Sequence, residues 1–324
     1  RHWFGARVSW RDSLQLATSK QWQLGAPLTA TRPHSIVFSM SQGPTALLIA
    51  AHGSRAQGWA DRVREFAQHV GESAAGAALF SVIEAAFLES STPSVPDAVR
   101  SLLERGASRV LVAPLLLTMS THLKEDLPGL LGLDVPDHIR RRLRGEGQQP
   151  LEPGLPITLL SLGALEEILA ANVARRLSLR CEAAPSEGIV LCAYGSTLHH
   201  GRWKTLLQRT QVLLIQRGFG AIEHAFVGHV VSKSPEPTRQ AIMRVGRAHG
   251  VTRVHVVPLL LGVTSLQTEV IASACEEARR EARGFNVVYE PDAVLPDGDL
   301  AARVAATALR ELGVFGMGGP GGLA

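Results

Sequence analysis

From Thr45 onward the chain repeats one pattern: a short apolar run, a glycine-containing turn, then an amphipathic stretch of about 12 to 18 residues. That alternation predicts βα units built on a parallel sheet. The expected strands are Thr45–His52, Ala78–Phe87, Arg109–Leu117, Ile157–Leu162, Gly188–Tyr194, Ala221–Val227, Arg253–Leu261 and Asn286–Tyr289. Runs such as VLVAPLLL and VHVVPLLL carry no polar face, which marks strands covered on both sides.

The pattern occurs twice. LLIAAHGS (Leu47–Ser54) matches IVLCAYGS (Ile189–Ser196), EAAF (Glu84–Phe87) matches EHAF (Glu223–Phe226), and VLVAPLLL (Val110–Leu117) matches VHVVPLLL (Val254–Leu261), in the same order and at nearly one spacing. A duplicated α/β unit follows, with one domain over 45–183 and a second over 184–313. The boundary falls near Cys181–Gly188, where CEAAPSEG interrupts the periodicity. The polar stretch Arg140–Gly154 reads as a loop inside the first copy. Residues 1–44 read as an extension rather than a targeting segment, because the chain begins with Arg1 and Met40 precedes the first strand. Gly316–Gly322, within 314–324, reads as a flexible tail.

A duplicated fold needs its packing residues twice and its chemistry once, so polar differences between the copies are informative. His52 ends the first strand and its counterpart is Tyr194. Glu89 follows the second strand where the other copy has Gly228, and His122 follows the third where the other copy has Leu266. All three lie at carboxyl ends of strands, where open α/β sheets place ligands. Two imidazoles and a carboxylate suit a borderline divalent ion such as Co²⁺, Ni²⁺, Fe²⁺ or Zn²⁺, and three ligands leave coordination positions open. Glu89 has a competing role as an N-cap partner for the helix that Pro93 opens. Gly53 and Ser54 recur in both copies and read mainly as a structural turn, whereas His199, His200, His224 and His229 read as surface or packing residues.

Composition removes other classes. The net charge is +4, but the basic residues are dispersed and aromatics are 5%, which does not describe a nucleic-acid surface. No apolar run reaches the roughly 18 residues of a membrane span. Three cysteines without a CxxC pair oppose a disulfide framework and a cysteine zinc site, and suit a reducing cytoplasm. Neither GxxxxGK[ST] nor GxSxG occurs, so nucleotide-driven chemistry and a serine-elbow hydrolase are not expected.

The segments AAHGSR (Ala50–Arg55), AFLESSTPS (Ala86–Ser94), and VLVAPLLL followed by THLKEDLP (Thr121–Pro128) together resemble the sirohydrochlorin chelatases, class II tetrapyrrole chelatases that insert Co²⁺, Fe²⁺ or Ni²⁺ without ATP. The resemblance covers about Thr45 to Gly313. It implies two flavodoxin-like (chelatase-like) halves, each a parallel sheet with helices on both faces, facing each other across a cleft. The fused halves would stand in for a homodimer, so the chain would act as a monomer. His52 and His122 would bind the metal with Glu89 assisting, as catalytic residues of a lyase. The metal is substrate, and no nucleotide takes part. Sirohydrochlorin carries eight carboxylates, so Ser54, Arg55, Thr121 and Lys124 beside the ligand set are expected to hold its rim, with Arg202, Lys204 and Lys233 from the second copy. Siroheme or cobalamin synthesis would be the setting. The alternatives are a chelatase for another tetrapyrrole and a non-catalytic metal-binding protein on the same fold.

Overall fold

A computed structural model describes residues 43–313 apart from 56–57, 74–78, 118–119, 164, 179–183, 290 and 293–295. The expected N-terminal extension up to residue 42 and the tail 314–324 lie outside the described residues. All eight expected strands form: β1 (Thr45–Ala51), β2 (Val82–Phe87), β3 (Arg109–Leu115), β4 (Ile157–Leu159), β5 (Glu187–Ala193), β6 (Ile222–Phe226), β7 (Arg253–Leu259) and β8 (Asn286–Tyr289). They make two four-stranded parallel sheets, ordered β2-β1-β3-β4 and β6-β5-β7-β8. This is a two-domain α/β fold in which each copy has the same topology. β4 stops at Leu159, short of the expected Leu162, because its pairing with β3 ends at Val112 opposite Leu159.

The helices are α1 (Trp59–Glu72), α2 (Val95–Glu104), a π-helical turn His122–Asp126 continued by α3 (Leu127–Leu130), α4 (Asp137–Gly145), α5 (Glu166–Ser178), α6 (His200–Gln216), α7 (Glu236–Gly246), a π-helical turn Leu266–Ile271 continued by α8 (Ala272–Glu281), and α9 (Gly298–Glu311). α4 corrects the expectation of a loop over Arg140–Gly154. Ile139 and Leu143, four residues apart, are both buried, and this apolar pair anchors a helix whose other face is arginine-rich. Asp137 in its first turn and Arg142 and Arg144 in its last complement the helix dipole.

Strand alternation sorts the core. Ala46, Leu48 and Ala50 of β1 face a cluster with α2, α3 and α4, while Leu47, Ile49 and Ala51 face a different one. The second cluster is common to both copies: it joins β1 and β3 to β5 and β7 through α1, α5, α6 and α9. The inner faces are therefore not buried copy by copy, as a pair of independent domains would bury them. α5, which closes the first copy, packs on α6 of the second; α9, which closes the second, packs on α1 of the first. Polar ties cross the same layer, with Arg109 to Glu311 at 2.8 Å and Arg209 to Glu166 at 2.8 Å. The Trp59 indole donates to Leu261 O at 2.7 Å. Among the described residues no helix is long and apolar enough to cross a membrane.

Candidate metal centre

The site sits at the carboxyl edge of the first sheet. β1 delivers His52, β2 delivers Glu89, and the turn after β3 begins at His122, so three adjacent strands aim three side chains at one place. The loops after β1 and β2 are stitched together, since Glu89 N–H donates to His52 O at 2.9 Å. Gly53 makes that approach possible. Its φ is +99°, and a Cβ there would stand 1.6 Å from Glu89 O. Gly53→Ala is expected to cost several kcal/mol, from strain at positive φ plus separation of the two loops. It should lower metal binding by at least about tenfold, read by thermal melting and a Co²⁺ titration; unchanged binding would show that loop spacing does not set the site.

His52 Nε2 lies 3.0 Å from His122 Nε2, with ring centroids 4.4 Å apart at an interplanar angle of 82°. Glu89 Oε1 lies 3.5 Å from His52 Nε2. The other ring nitrogens are committed: His52 Nδ1 donates to Gly53 O at 2.9 Å, and His122 Nδ1 donates to Asp126 Oδ2 at 2.7 Å. Carbonyl and carboxylate oxygens only accept, so both Nδ1 atoms carry protons. The two Nε2 atoms then turn toward one another across 3.0 Å. A cation, whether a proton or a metal ion, fits between two such nitrogens.

The surroundings agree. The hydrogen bond to Asp126 raises the His122 pKa above the ordinary imidazole value, burial opposes it, and the charges of Asp126 and Glu89 add to the rise. Burial alone would push the Asp126 carboxyl up, but hydrogen bonds from His122 and Arg142 reverse this and hold it below the usual carboxylate range. Arg142 Nη2 donates to Asp126 Oδ1 at 2.5 Å.

Among the described residues no group of three or more His, Cys, Asp and Glu is disposed to hold a metal ion as it stands. Two nitrogens on one tetrahedral ion at about 2.0–2.1 Å stand roughly 3.3 Å apart, so the hydrogen-bonded pair must part by a few tenths of an ångström. With His52 and His122 side chains 37% and 38% exposed and Glu89 52%, the side chains have room to do so. The donor set fits a borderline divalent ion.

Ser54 and Arg55 continue the His52 loop. Ser54 N–H donates to Ser91 Oγ at 3.4 Å, tying the loop to the segment after β2, and Arg55 is exposed. Thr121, half-buried, and Lys124, exposed, flank His122. Arg202, Lys204 and Lys233 of the second copy are all exposed. Two residues of the centre escaped the sequence reading. Asp126 lies four residues beyond His122, a helical spacing that was there to be read, and Arg142 comes from the helix taken for a loop.

The second copy repeats the frame without these three side chains. Gly228 N–H donates to Tyr194 O at 3.0 Å, the counterpart of the Glu89–His52 bond. A Cβ at Gly228 would meet Tyr194 O at 2.4 Å. Leu266, in the place of His122, is buried. His224 and His229 pack against rings, Phe226 and Tyr194 respectively.

Residues 46–174 match the family model described as CbiX. A protein named sirohydrochlorin cobaltochelatase from Saccharolobus solfataricus is 35% identical over 88 residues, which is 27% of this chain and 64% of the relative. One of the same name from Methanocaldococcus jannaschii is 36% identical over 93 residues, 29% of this chain and 62% of the relative. The chain thus spans somewhat under two thirds of the length of these relatives. Among solved structures, SirB from Bacillus subtilis with Fe³⁺ aligns with a TM-score of 0.61 at 19% identity, covering 83% of this chain and 95% of that one. CbiX described as the terminal enzyme for biosynthesis of siroheme in denitrifying bacteria aligns with a TM-score of 0.51 at 17% identity, covering 82% and 98%. At these identities the structural likeness speaks for the fold.

Proposed function

Because residues 46–174 match the family model described as CbiX, we propose that this protein is a metal chelatase, a lyase that inserts a divalent metal into sirohydrochlorin without nucleotide. The observation that carries the reading is the His52 Nε2 to His122 Nε2 pair at 3.0 Å, with Glu89 at 3.5 Å, open to solvent at the carboxyl edge of the sheet. The relatives named sirohydrochlorin cobaltochelatase support the substrate class and make Co²⁺ the first metal to test, with Fe²⁺ and Ni²⁺ beside it. Residues 45–183 carry the chemistry on this reading. Residues 184–313 supply the opposing half that a second subunit supplies in a short homodimeric form, so the protein works as a cytoplasmic monomer.

Insertion exchanges two pyrrole N–H protons for one dication. His52 and His122 strip water from the incoming ion and present it to one face of the ring. Glu89 accepts the two pyrrole protons one after the other and passes each to solvent, a general-base role worth about 10² to 10⁴ in rate. Ser54, Arg55, Thr121 and Lys124 hold the carboxylate rim. A metal carrier would instead need a closed ligand set, and the exposure of all three side chains opposes that.

The test is the change in sirohydrochlorin absorbance on adding protein with Co²⁺, Fe²⁺ or Ni²⁺ and no nucleotide. Insertion faster than the protein-free rate is expected. A rate equal to the protein-free reaction with all three metals would end the proposal. A second expectation concerns pH. Because His122 binds its proton more tightly than ordinary imidazole, Co²⁺ binding to the free protein should weaken about tenfold per unit below the raised His122 value and level off above it. The falling limb therefore begins at higher pH than for an unperturbed histidine. A profile that is flat through the imidazole range would show that no proton on His122 competes with the metal.

A further inference from the structure

Behind His122 stands a second pair. Asp126 Oδ2 accepts from His122 Nδ1 at 2.7 Å, and its other oxygen accepts from Arg142 Nη2 at 2.5 Å. The π-helical turn puts His122 and Asp126 on one face, four residues apart, and α4 brings Arg142 across to them. The Asp126 side chain is only 11% exposed, whereas Arg142 also reaches Glu146 at 3.2 Å and Glu125 at 3.4 Å. Both oxygens of the carboxylate are thus engaged, one by the ligand histidine and one by a guanidinium.

Packing does not require this arrangement. The second copy builds the same π-helical turn, Leu266–Ile271, with Val270 at the position of Asp126. Among the described residues the connection from β7 to β8 also holds no second helix corresponding to α4. The copy that lacks the histidine lacks the carboxylate behind it and the helix that carries the arginine. A carboxylate withdrawn from water is expensive to keep unless its partners do something for it.

We propose that Asp126, locked by Arg142, is a positioning residue that fixes the ring orientation and tautomer of His122, so that the Nε2 lone pair faces the incoming metal. A carboxylate behind a metal-binding imidazole sets which nitrogen is free and raises its basicity as a ligand, and its loss typically lowers metal affinity about 10- to 100-fold. The inference rests on the chelatase reading for the identity of the reaction, though not for the metal site itself.

The test uses the full chain with Asp126→Asn, Asp126→Val, Arg142→Gln and Arg142→Lys, read by Co²⁺ titration in the visible without tetrapyrrole and by insertion kinetics with Co²⁺ varied. Asp126→Asn and Asp126→Val are expected to weaken Co²⁺ binding and raise KM for Co²⁺ by about 10- to 100-fold, with KM for sirohydrochlorin unchanged and the Co²⁺ spectrum shifted. Arg142→Gln should do the same to a smaller degree, and Arg142→Lys should recover part of the loss. If an Asp126 variant fails to fold, Arg142→Gln leaves the carboxylate in place and decides the matter by the same spectral shift. Folded Asp126 variants that bind and insert Co²⁺ within about twofold of the wild type overturn the proposal and leave the chelatase reading standing. A wild type that binds Co²⁺ but inserts none overturns the chelatase reading, and the titration then still decides the role of Asp126. A wild type that binds no Co²⁺ overturns both.

Discussion

His122→Ala is expected to lower the rate of metal insertion about 10³-fold or more while moving the melting temperature by only a few degrees. The two effects separate because the residue is half-exposed and its role is chemical. Without it one imidazole and one exposed carboxylate remain, too few to draw an ion out of its hydration shell and hold it against a ring. For stability, Asp126 keeps Arg142 as its partner, so two partly exposed hydrogen bonds, to Asp126 and to His52, are lost rather than a charge orphaned. That costs about 1–2 kcal/mol, a few degrees for a chain of this size. His52→Ala should behave alike. The double variant should be scarcely slower than either single one, because groups that act on one ion fail together. Initial rates from sirohydrochlorin absorbance, beside melting curves, make the test. Activity of His122→Ala within tenfold of the wild type would take His122 out of the site.

The strands were legible because a parallel strand covered on both faces must be apolar at every position, and VLVAPLLL cannot be mistaken for an amphipathic element. The three side chains at the carboxyl edge were legible for a different reason: a duplicated chain supplies its own control, and Tyr194, Gly228 and Leu266 mark what the frame alone requires. The facing pair of ring nitrogens was not legible, since it depends on an approach of 3.0 Å between residues seventy positions apart. α4 was obscured by composition. Three consecutive arginines followed by Gly145 and Gly147 read as a polar loop, and the two apolar residues that make the helix, Ile139 and Leu143, are a thin stripe beneath them. Arg142 was lost with it. Asp126 was overlooked because a carboxylate next to Glu125 on a polar segment looks like a solvated face, and only burial distinguishes the two.

The central helical layer is the feature least visible in the sequence, because its contacts join elements from opposite ends of the chain, and it leads to the second large effect. Deleting residues 297–324, which removes α9, is expected to abolish cooperative unfolding of the first copy as well as the second. α9 buries Leu300, Ala301, Val304, Ala305 and Ala308, and it packs on α1, whose Val63, Phe66, Ala67 and Val70 belong to the same cluster. At about 1.5–3 kcal/mol for each of Leu300 and Val304 and about 0.8 for each alanine, the burial lost is on the order of 6–8 kcal/mol. That is comparable with the entire stability of an ordinary domain, about 5–15 kcal/mol. The deletion also strips Asn172 and Arg175 of α5 of their partners Asp297 and Asp299, and Arg109 of Glu311. The metal centre lies at the end of the very sheet that α1 covers, so Co²⁺ binding should vanish with the fold although no ligand residue has been touched. Near-ultraviolet circular dichroism, size exclusion and a Co²⁺ titration would follow it, with Val304→Asp as a point variant acting in the same direction. A truncated chain that melts cooperatively within about 5 °C of the full one, and still binds Co²⁺, would show that the first copy buries its inner face without help from the second.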